Sequence, residues 1–177
     1  NNEEINQALQ GIATQDNGDL FINNADKLRG DILDKLVLNA ATNPSAEIKG
    51  LSRFIIKSAA LELGIVNSSI QGLYETRGRG EIKGFTVPAL NIRGLPYELC
   101  RAIFRTAIKT DAGAFIFELA KSEMGYTFQK PQELSAVILA AAIKEGYKGP
   151  VFIQGDHFQV NAKNYVQDKE KEIAGLK

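Results

Sequence analysis

Val151-Phe152-Ile153-Gln154, followed at once by Gly155-Asp156-His157, decides how this chain is read. A short, nearly unbroken apolar run is what a strand buried on both faces requires, whereas a strand with one wet face alternates apolar and polar positions. Two runs upstream have the same texture. Phe85 to Leu90 leads into Asn91-Ile92-Arg93-Gly94, and Ala114-Phe115-Ile116-Phe117 leads into Glu118 to Ser122. Between the strands, Pro96 opens a helix whose Leu99, Ala102, Ile103 and Ala107 share a face. Pro131 opens another, with Leu134, Val137, Ile138 and Ala141 on one side. Strand, loop and helix thus recur three times, the pattern of a parallel α/β sheet with right-handed crossovers. Pro88 cannot donate to a ladder, so the first of these strands is expected to start irregularly.

Residues 1–80 read differently, as helices only. Asp31 is placed to cap a helix carrying Ile32, Leu33, Leu36, Val37 and Ala40 that ends near Asn43-Pro44. Ser45 caps the next, whose Ile48, Leu51, Ile55 and Ala59 keep helical spacing up to a stop at Gly64. A third, short helix is expected from Ser68 to Tyr74, before a flexible break at Arg77-Gly78-Arg79-Gly80. The chain therefore divides into a helical N-terminal region, 1–80, and an α/β region, 81–177.

Charge excludes one class of partner. Lys plus Arg is 21 and Asp plus Glu is 21, with no basic stripe, so a nucleic-acid partner is not expected. No apolar run approaches the ~20 residues of a membrane span, and no basic segment leads into an apolar one at the N-terminus. The expectation is a soluble cytoplasmic protein with no membrane partner. The single cysteine, Cys100, allows no internal disulfide and reads as a small buried helix residue.

Chemistry in parallel α/β architectures gathers at the carboxyl ends of strands. That rule selects Asn91 and Arg93 after the first strand, Lys121 and Ser122 after the second, and Gln154, Asp156, His157 and Gln159 after the third. Arg77 and Arg79 precede the first strand and read as a solvated connection rather than a phosphate nest. Taken alone, Asp156 reads equally as a turn residue and His157, the one histidine, as an incidental imidazole. Side by side on an extended backbone they would point in opposite directions, one to a metal and the other to substrate. Glu118 is read as pointing inward and Glu123 as part of a solvated loop, with Tyr126 and Phe128 as loop packing.

Val87-Pro88-Ala89-Leu90-Asn91, the helix after it, Ala114 to Leu119, and Gly149 to His157 together resemble the opening of the class II, zinc-dependent fructose- and tagatose-bisphosphate aldolases. The resemblance covers roughly residues 84–177, and its specific element is the Asp-His pair. It implies a (β/α)8 TIM barrel, of which this chain would hold the first three βα units behind an all-helical region, with further strands beyond Lys177. It implies His157 as one Zn2+ ligand, Asp156 as the catalytic acid/base and Asn91 as a substrate contact, the other metal ligands lying outside this chain. Ser122 is the candidate phosphate contact, since Ala120 occupies the position where the family usually carries a serine. The implied activity is reversible aldol cleavage of a phosphorylated ketose, such as fructose 1,6-bisphosphate, to dihydroxyacetone phosphate and an aldehyde, by a homo-oligomer. Two alternatives stand beside it: a non-catalytic accessory subunit of the tagatose-bisphosphate aldolase type, and a sugar-phosphate barrel with other chemistry.

Overall fold

The architecture is a four-stranded parallel sheet covered on one face by helices, with a small hairpin beside them. The computed structural model describes residues 1–176. In chain order the elements are α1 (Asn2–Ala8), β1 (Ala13–Asp16), β2 (Asp19–Ile22), α2 (Ala25–Lys27), a wide helical turn (Leu28–Ile32), α3 (Leu33–Thr42), α4 (Ala46–Glu62), β3 (Ile65–Ser68) and α5 (Gln71–Gly78). There follow β4 (Ala89–Asn91), α6 (Pro96–Thr110), β5 (Ile116–Ala120), α7 (Lys121–Thr127), α8 (Pro131–Glu145), β6 (Gly149–Asp156), α9 (Ala162–Gln167) and α10 (Lys169–Ala174).

Local chemistry sets most of these boundaries. Ser45 caps α4, its hydroxyl accepting from the Ile48 N–H at 3.3 Å. Proline stands in the first turn of both α6 and α8, where its missing N–H costs nothing. Every residue from Ala136 to Ile143 in α8 is buried. A helix apolar all round belongs at the centre, and α8 touches α3, α4 and α6. In α6 the buried face is Cys100, Phe104 and Ala107, with Leu99 half exposed, so the helix is rotated from the face its spacing suggests. Phe104 meets Phe115, Phe117 and Tyr147 at ring-centroid distances of 5.6, 5.3 and 4.9 Å, clamping α6 to β5 and the approach to β6. Burial pushes the Cys100 thiol up to about 12, away from the reactive thiolate range.

The N-terminal region is built into the same core, which runs from Ile5 to Val151. Polar contacts reinforce the join. Asp34 on α3 accepts from the Tyr97 hydroxyl and from Lys144 Nζ, each at 2.8 Å, and Arg29 donates to the Ile143 carbonyl at 2.9 Å. Burial alone would raise the Asp34 carboxyl, but these hydrogen bonds outweigh it and hold the group below its ordinary range.

The sheet corrects the expected fold. Its strand order is β3-β6-β5-β4, an open sheet with two edges, and not the opening of a (β/α)8 barrel. Nor are residues 1–80 all helical, since they contribute the β1–β2 hairpin and β3. The physical cause is pairing: Ile65–Ser68 runs parallel to Gly149–Phe152 and takes the edge of β6 that β5 leaves free. The hairpin turns at Asn17-Gly18, with φ of 50° and 93°, the left-handed pair that a two-residue turn demands. Pro88 lies just outside β4, and its carbonyl accepts from the Ile116 N–H at 2.9 Å. No described helix is long and apolar enough to cross a membrane.

Candidate functional site

Strand alternation sorts the sheet's side chains. Leu90, Phe117, Leu119 and Val151 join the core with the helices, so Asn91, Ile116, Glu118, Ala120, Phe152, Gln154 and Asp156 occupy the opposite face. Register arranges these into rows. Ala89, Ile116, Phe152 and Ser68 align near the amino end, then Asn91, Glu118 and Gln154, then Ala120 and Asp156 at the carboxyl end. The face thus changes from mainly apolar to polar as the strands approach the end where parallel sheets hold ligands.

Two hydrogen-bonded groups occupy that polar end. In one, the Tyr74 hydroxyl donates to Gln154 Oε1 at 3.0 Å, and Gln154 Nε2 donates to Glu118. In the other, Asn91 Nδ2 donates to Asp156 Oδ2 at 3.1 Å and to Glu123 Oε2 at 3.2 Å. Glu123 also accepts from Arg93 Nε and, at 2.9 Å, from the Ala120 N–H that opens α7. Burial alone would raise the Glu123 carboxyl, yet the Ala120 N–H, the Asn91 amide and the Arg93 guanidinium outweigh it and hold the group below its usual range. Arg93 is pushed upward by the same contact.

His157 follows Asp156 and leaves the strand geometry, with φ of 49°, a left-handed conformation uncommon outside glycine. Its Nε2 lies 3.3 Å from Asp156 Oδ1, so the two side chains converge rather than diverge as an extended backbone would make them. The Asp156 side chain is 25% exposed and that of His157 76%, which leaves both open to a ligand. Gly155 explains the turn. A Cβ there would sit 2.6 Å from the Phe158 ring, so the absent side chain lets Phe158 fold back against the strand. Its role is room for that ring rather than a special φ.

The structure therefore brings Asn91, Asp156 and His157 together, while Ser122 stands exposed in the first turn of α7, outside this hydrogen-bonded group. Glu123 is the residue the sequence reading misplaced. Expected in a solvated loop, it is buried, with a side chain 3% exposed. Only half of a capping box is present, the Ala120 N–H donating to Glu123, because Ala120 lacks the side-chain oxygen that would make the signal readable in Ala120-Lys121-Ser122-Glu123.

Zinc needs three protein ligands at a catalytic site. Among the described residues no three His, Cys, Asp or Glu side chains converge to hold a metal. The residues present do not by themselves fit a zinc centre, and no step is derived through one. Neither the family models, nor the curated proteins, nor the solved structures compared with this chain give a match.

Proposed function

We propose that the carboxyl end of β4, β5 and β6 carries the acid–base part of a class II aldolase-type site for cleavage of a phosphorylated ketose. One observation carries the reading: Asn91 on β4 and Asp156 on β6 meet at 3.1 Å across the sheet, beside His157, at the ligand-bearing end of parallel strands. In this reading Asp156 takes the proton from the substrate hydroxyl as the carbon–carbon bond breaks. The bonding pair passes to the ketose half as an ene-diolate, and the hydroxyl carbon becomes the aldehyde. Asn91 orients the carboxylate and contacts substrate; were a Zn2+ bound, His157 would be one of its ligands and the ion would polarise the ketose carbonyl, its other ligands coming from outside these residues. General acid–base work of this kind depends first on reach, and the partial exposure of the Asp156 side chain supports it.

A second reading is favoured by a different observation. His157 is the only histidine in the chain, which suits an accessory, non-catalytic subunit of the tagatose-bisphosphate aldolase type. One assay separates them. Cleavage of fructose 1,6-bisphosphate is measured with added zinc, with chelator, and in Asp156→Ala. The enzyme reading expects chelator to abolish cleavage and the substitution to lower kcat by about 10²–10⁴-fold. Full activity surviving either treatment rejects it. No cleavage alone, with stimulation of a separate catalytic aldolase, favours the accessory reading.

A further inference from the structure

Glu123 has more partners than a helix cap needs. Capping α7 engages only Oε2, through the Ala120 N–H at 2.9 Å. Oε1 is taken by Arg93 Nε, and both oxygens lie within 3.4 Å of Asn91 Nδ2. The same nitrogen reaches Asp156 Oδ2 at 3.1 Å. An amide NH2 carries two donors in one plane. Once Glu123 receives one, the other is aimed in a single direction, and that direction is Asp156. Two carboxylates on one nitrogen also settle which end of the Asn91 amide faces them, because its oxygen would be repelled by both.

Charge fits the same picture. Glu123 and Asp156 would disfavour each other's ionisation if left alone, but Arg93 pairs with Glu123 from the solvent side, its own side chain 59% exposed. The buried charge is therefore neutralised before it reaches the rim. The Asp156 carboxylate is held by Oδ2, leaving Oδ1 on the side of His157.

We infer that Glu123 is a positioning residue, fixing the Asn91 amide and through it the orientation of the Asp156 carboxylate for proton transfer. This rests on the acid–base reading of Asp156 given above. Glutamine at the position would still cap α7, since its amide oxygen can accept from Ala120. That oxygen, in the Oε2 position, would also keep accepting from Asn91 Nδ2, whereas Glu123→Ala removes both acceptors and leaves the Asn91 amide free to turn away from Asp156.

The test is a double-mutant cycle on ketose bisphosphate cleavage by the whole protein, with zinc present, using Glu123→Ala, Asn91→Ala and the double substitution. Glu123→Ala is expected to lower kcat about ten-fold with KM within about two-fold, because orientation of the base acts on the chemical step. The double variant is expected to match Asn91→Ala alone, since Glu123 acts through Asn91. Additive losses, or a change confined to KM, overturn the inference while leaving the acid–base reading intact. If the alanine variant loses its native circular dichroism, Glu123→Asp replaces it: the charge remains but the shortened side chain cannot cap α7 and hold Asn91 together. The same fall in kcat is then expected, and wild-type kcat in that variant overturns the inference. A wild-type protein that cleaves nothing sinks the acid–base reading itself, and the positioning role with it.

Discussion

The two faces of the central sheet divide labour. On the helix side Phe117, Leu119 and Val151 are sealed into the core, with Phe117 and Val151 no more than 2% exposed. On the other side, at the alternate positions of the same strands, Glu118, Gln154 and Asp156 keep some exposure; Gln154 donates to Glu118, and Asp156 accepts from Asn91. A side chain's face, more than its strand, therefore decides whether its loss is felt as unfolding or as altered chemistry. Substitutions on the two faces can break or sharpen that contrast.

Phe117→Ala should cost the most, about 3–5 kcal/mol, because a fully buried ring is removed from among Phe104 and Phe115. Urea unfolding measures it, and a loss under about 1 kcal/mol would mean that the helix face is less tightly packed than described. Gly155→Ala comes next, at about 1–3 kcal/mol, since its methyl would lie 2.6 Å from the Phe158 ring and drive it off the strand. Phe158 near-ultraviolet or NMR signals should move with it; an undisturbed ring would contradict the packing.

The third contrast depends on pH. The Glu123 carboxyl is held below its ordinary 4.5 in the folded protein, so it stabilises the fold above that pH. This contribution is lost as pH falls through the folded-state value. The stability gap between wild type and Glu123→Gln should therefore be widest near neutrality and close on acidification, and a gap constant from pH 7 to 3 would contradict it. The smallest effect belongs to Asp156→Ala, at about 1 kcal/mol or less, because Asn91 keeps Glu123 as a partner. A large destabilisation there would place Asp156 among the structural residues.

How much of this was legible in the sequence depended on how local each signal was. Pro96, Pro131 and Ser45 act within their own turns, and α6, α8 and α4 begin where those residues stand. The Asn17-Gly18 turn is equally local, a two-residue hairpin signal inside a region expected to be helical throughout. Strand β3 was not legible at all. The β-branched pair Ile65-Val66 after Gly64 is too short to mark a strand by itself, and it becomes one only where Gly149–Phe152, far along the chain, offers its edge. That one pairing also accounts for the difference between an open sheet and the expected barrel opening. At the candidate site, the rule about carboxyl ends needs only parallel strands and not a closed barrel, so it still directed attention to Asn91 and Asp156. The burial of Glu123 and the left-handed turn at His157 arise from tertiary convergence, of Arg93 and Asn91 in one case and of Phe158 on Gly155 in the other.

The strand order has a consequence for assembly. Because β5 lies along one side of β6 and β3 along Gly149–Phe152 of the other, an incoming strand from another segment or molecule finds free backbone at the two outermost strands and beside Ile153–Asp156, beyond the end of β3. Of the two outermost strands, one offers four residues and the other three. Enlargement of this sheet begins at those short borders, or continues past Ser68 along the carboxyl half of β6.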